Sequence, residues 1–154
     1  MSSVRLREIA EERLSAVRAM HALAGREASV LATVDAAARG EVSQDAADGA
    51  IASHLAARER CIEQMMRGQD EWAALAPQAG AWADSEVDAI RALGDEATRL
   101  LAEIALSDRR FASELSARRA AAADGIARTE GGRAANRAYA PRGDQGPRFT
   151  DRSA

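Results

Sequence analysis

Apolar residues recur along this chain at steps of three and four, the spacing that places them on one face of a helix. From Ser3 to Arg39 the stripe passes through Leu6, Ile9, Leu14, Val17, Met20, Leu23, Val30, Leu31 and Val34, with charges largely on the other side. The spacing predicts one helix over 3–39; Gly25 falls inside it, at a cost of about 1 kcal/mol relative to alanine, without ending it. Gly40 supplies the stop, as glycine does at the first non-helical position. Ser43 or Asp45 is then placed to cap a second helix over 44–76. That helix carries Ile51, Leu55, Ile62, Met65 and Trp72 along one face, after a weakly apolar start around Asp45, Asp48 and Gly49. Pro77 ends it, because proline lacks the amide proton and disfavours helix in the residue before it.

A connection over 77–83 leads to Asp84 or Ser85 as the next cap, with Glu86 and Asp88 at the positive end of the helix dipole. The third helix, over 85–127, carries Val87, Ile90, Leu93, Ala97, Leu100, Leu101, Ile104, Phe111 and Leu115, and is expected to end at Gly125 or at Gly131-Gly132. Strand-like alternation is absent throughout. The class is therefore all-α, an elongated antiparallel coiled-coil hairpin or three-helix bundle, since short connections make long helices antiparallel neighbours. Arg13, Arg58, Gln69 and Asp108 interrupt the seams. Part of the apolar face is expected to stay uncovered, as a homodimer interface or as a groove for a partner helix.

Composition sharpens this picture. About a quarter of the 154 residues are alanine and only 3% are aromatic, which suits close-packed helices better than a thick core, since alanine buries little surface. All 21 basic residues are arginine, so chemistry that needs a P-loop or Schiff-base lysine is excluded. One cysteine, Cys61, excludes an internal disulfide and reads as a small core residue. His21 and His54 have Arg18 and Ile51 three residues before them, so neither forms the Glu-x-x-His of a helical di-iron site; both read as ordinary helix-face residues. The adjacent pairs Glu11-Glu12 and Asp70-Glu71 point apart on a helix and read as solvated. No metal, cofactor or enzymatic activity is expected. Arg5, Arg7, Glu8, Glu11, Glu12 and Arg13 leave no room for a signal-peptide apolar region, and no run approaches the ~20 apolar residues of a membrane span. A soluble, cytoplasmic protein without membrane insertion is expected.

Past Arg128 the character changes to glycine, proline and arginine with two isolated aromatics, Tyr139 and Phe149. Residues 128–154 hold six arginines against Glu130, Asp144 and Asp151, an excess of about three positive charges over an acidic body. That excess is too small for nucleic-acid binding. A flexible tail over 129–154 is expected, in which the two aromatics are candidates for docking on a partner. Trp72 and Trp82 flank the Pro77 bend, either plugging the end of the bundle or anchoring a partner.

Leu101-Ala-Glu-Ile-Ala-Leu-Ser-Asp-Arg-Arg, Asn136-Arg-Ala-Tyr-Ala-Pro and Pro147-Arg-Phe-Thr-Asp-Arg are similar to the late helix and short aromatic tail of the FlgN-type flagellar export chaperones. The resemblance implies a cytoplasmic chaperone that binds the C-terminal helix of hook-associated (hook–filament junction) proteins, prevents premature assembly and delivers them to the export apparatus. It uses no ATP or metal of its own. On that reading the client lies on the apolar faces of the second and third helices, around Ile62, Met65, Leu101, Ile104 and Phe111, and Tyr139 and Phe149 dock on the export gate. The chaperone alone is monomeric or a weak dimer. The competing reading is a homo-oligomeric coiled-coil scaffold, without a flagellar role, whose stripe is covered by its own copy.

Overall fold

The computed structural model describes residues 2–139. Its elements are α1 (Ser2–Ala24), α2 (Glu27–Ala38), α3 (Gln44–Met66), α4 (Gln69–Leu75), a 3-10 helix (Ala76–Ala81) and α5 (Asp84–Tyr139). No strand occurs among the described residues, and the all-α class holds. The chain divides into two units, Met1–Ser116 and Ala117–Ala154.

In the first unit, side-chain pairs give the direction of each helix. Arg13 bonds Gln69 and Glu27 bonds Arg58, so the chain from α1 into α2 runs against α3 and the start of α4. Ser3 meets Glu86, Arg18 meets Glu96 and His21 meets Glu103, so α5 runs alongside α1. Leu14, Val17 and Met20 of α1, Cys61 of α3, and Leu100 and Ile104 of α5 form one core cluster. A second cluster of Leu6, Ala10 and Ile90 lies under Trp72, Leu75 and Trp82. Ala16 and Ala47 are almost wholly buried, and α1 and α2 bring their backbones close to α3. Alanine at these sites is what permits that approach.

Ser43 is the N-cap of α3, its hydroxyl accepting from the Ala46 amide at 3.2 Å. Gly40 ends α2's turn at φ 74°. Two expected helices are divided. The first breaks at Gly25-Arg26, where the Arg26 amide reaches Leu23 in a tighter three-residue step (2.9 Å) before α2 begins. The second breaks at Gly68, which adopts φ 70° and would place a Cβ 3.2 Å from Ile9 Cγ2. Both the dihedral and the neighbour demand glycine there. Gly68→Ala is expected to cost about 1–3 kcal/mol in urea denaturation. Gly49→Ala, in a helix with nothing within 4 Å of the new methyl, should instead stabilise by about 0.5–1 kcal/mol.

The Arg5 guanidinium grips both oxygens of Glu71 at 2.8 and 2.9 Å, fastening α4 to α1. This bond holds the Glu71 carboxyl below the usual carboxylate range. Because the folded value is lowered, the contribution is present at neutral pH and is lost as acid carries the pH down through that lowered value. An NMR titration should show the Glu71 midpoint rising toward the ordinary carboxylate value in Arg5→Ala.

In the second unit, α5 continues through Gly125, Gly131 and Gly132 to Tyr139, past the two stops expected from sequence. Those glycines keep ordinary helical dihedrals. Side chains there bond back along their own helix, Thr129 to the Gly125 carbonyl and Arg128 to that of Asp124. Ile126 is 61% exposed.

Candidate protein-binding surface

The four polar interruptions read in the seams answer one another across the first unit, in two pairs. Arg13 donates to Gln69 at 2.5 Å and lies over the Trp72 ring at 4.9 Å. Arg58 donates to Asp108 at 2.5 Å and, through its other nitrogen, to Glu27 at 3.3 Å. Glu27, the first residue of α2, is the buried centre of this second group, its side chain 6% exposed against 16% for Arg58. The Ser107 hydroxyl donates to its other oxygen at 2.6 Å. His54 is buried beside them, its Nε2 3.8 Å from Glu27, and its ring stands 5.4 Å from that of Phe111 at a tilt of 57°. Three helices therefore meet on one shared set of charges. The sequence carried a signal for Glu27: it falls seven residues after Met20 and four before Leu31, on the apolar stripe itself. His54 differs from its expected place on an ordinary face, being part of this interior.

The Arg58–Asp108 pair also marks where α3 and α5 face each other. Ile62 follows Arg58 by four residues and Leu55 precedes it by three, so both share its side of α3. Met66 continues that line. Leu101 precedes Asp108 by seven, on the matching side of α5. These four side chains are 54% (Leu55), 49% (Ile62), 59% (Met66) and 41% (Leu101) exposed. The result is an apolar strip along the α3–α5 seam that the first unit leaves about half exposed.

Of the five residues expected to hold a client, Ile62 and Leu101 lie on this strip. Met65 and Phe111 are partly buried, Met65 against the main core and Phe111 against His54. Ile104 is 3% exposed and belongs to the core, so its side chain is not available at the surface; it stands three residues after Leu101, turned inward by the helical rotation. Leu55 and Met66 were not singled out as contact residues, although they lie seven before and four after Ile62. Tyr139 is the last residue of α5, and Phe149 lies outside the described residues.

Trp72 and Trp82 pack over the second cluster and frame a small hollow of about 170 Å³ with Leu6, Val87 and Ile90, which agrees with a plug at the end of the first unit. Cys61 is buried, as expected. Among the described residues no group of three or more histidine, cysteine or carboxylate side chains is disposed to hold a metal ion. No described helix is long and apolar enough to cross a membrane. Compared with models of protein families, with curated proteins and with solved structures, the chain matches none.

Proposed function

We propose that the chain is a binding protein that receives an amphipathic helix on the α3–α5 strip, and that its client is a flagellar hook-associated protein. The observation that carries the reading is the line of Leu55, Ile62, Met66 and Leu101, large apolar side chains left about half in water on one seam. An amphipathic helix laid there would bury its apolar side by the helix-in-groove mode, read as anchors at steps of three, four and seven. The polar group beneath the strip fixes the two helices that form its walls. The flagellar assignment rests on the resemblance of residues 101–110 and of the segments at 136–141 and 147–152 to export chaperones. In that role the protein is cytoplasmic, works without catalysis and hands its client to the export apparatus, with Tyr139 and Phe149 as docking residues.

Co-expression with a hook-associated protein tests the assignment. A stoichiometric complex that depends on the client's C-terminal helix is expected. A stable oligomer of this chain whose mass is unchanged by the client would instead support the scaffold reading.

A further inference from the structure

We infer that in the absence of client the strip is covered by the C-terminal part of α5 from a second copy of the same chain. The inference rests on the strip proposed above as the client site, and not on the flagellar assignment. Charge supplies the first argument. Residues 1–116 carry 13 arginines against 20 aspartates and glutamates, whereas residues 117–139 carry five arginines against Asp124 and Glu130. One end of the chain is thus acidic and the other basic, and two copies can satisfy each other reciprocally about a two-fold axis.

The charges are also placed beside apolar groups on both sides. Glu59 and Glu63 follow Leu55 and Ile62 along α3; both are exposed and have no ion-pair partner among the described residues. On α5, Arg119 precedes and Arg133 follows Ile126 by seven residues each, so all three lie on one face. At ~1.5 Å per residue the acceptor line from Leu55 to Met66 is about 16 Å long and the donor line from Arg119 to Arg133 about 21 Å, a difference within the reach of arginine side chains. Helix energetics give the second argument. Gly125, Gly131 and Gly132 each cost about 1 kcal/mol relative to alanine, and most helical stability in proteins comes from packing an amphipathic face. A helix of this composition is stabilised by a partner surface, which Ile126 is exposed to meet.

Sedimentation of the full-length protein alone, over a concentration series at low salt, tests this. A reversible dimer that weakens as salt is added is expected. Arg119→Glu with Arg133→Glu should weaken it at least about tenfold, and Glu59→Arg with Glu63→Arg likewise. Mixing the two charge-reversed proteins should restore a one-to-one heterodimer, which no general loss of folding can mimic. A wild-type chain that stays monomeric to about 1 mM overturns the inference, as does a mixture that fails to pair, including the case in which the helix docks within its own chain. Client capture by a strictly monomeric protein would leave the proposed function standing and remove this inference alone.

Discussion

Arg58→Ala is expected to destabilise the first unit by about 3–5 kcal/mol, a large effect for a truncation to alanine. It leaves the Glu27 carboxylate nearly sealed from water with the Ser107 hydroxyl as its remaining donor, and it removes the cation between Glu27 and Asp108. A buried ion stripped of its counterion costs far more than the intact pair contributes, because desolvation is no longer offset. The same reasoning predicts that Glu27→Gln, Arg58→Met and Asp108→Asn combined recover most of the loss, since all three charges then leave together. Urea denaturation of the two variants beside wild type measures the difference. A loss below about 1 kcal/mol for Arg58→Ala would mean that the pair behaves as a surface ion pair, and the account of the buried group would be wrong.

The second large effect separates binding from folding. Ile62→Asp with Leu101→Asp places two carboxylates on the strip without touching the core, so the protein should melt within a few degrees of wild type while client capture falls by about a hundredfold or more. Ile104→Asp should do the reverse. Its side chain sits among Leu14, Val17 and Leu100, where an unpaired charge unfolds the unit before any binding can be measured. Circular dichroism and co-purification, run on the same samples, distinguish the two. Equal loss of helicity in both proteins would remove Ile62 and Leu101 from the surface and with them the proposed client site.

These contrasts show which parts of the structure periodicity could reveal. Gly40 and Ser43 were legible because a stop and a cap stand side by side between two apolar stripes. Gly25 and Gly68 were not, because a glycine within a helical pattern is ambiguous on its own: Gly94 and Gly125 stay helical, whereas Gly68 turns to positive φ with Ile9 filling the space beside it. That neighbour comes from a different helix, which no local pattern contains. The end of α5 shows the converse, since Gly131-Gly132 has the look of a stop and the helix runs through it. Leu101 and Ile104 are likewise one step apart in the same apolar pattern. Only the positions of α1 and α3 decide which of them is covered. The seam interruptions stand out as irregular in the sequence, but their pairing across tens of residues requires the packed chain.

The ion pairs of Arg58 with Glu27 and Asp108, together with the Ser107 hydrogen bond to Glu27, forbid sliding. Alanine-rich rods can shift past each other by one turn at little loss of contact, because each layer resembles the next. Here a shift of one turn would separate a buried anion from its cation. The molecule is thereby confined to a single alignment of its rods, and the spacing of the four greasy anchors offered to a visitor stays fixed each time the chain folds.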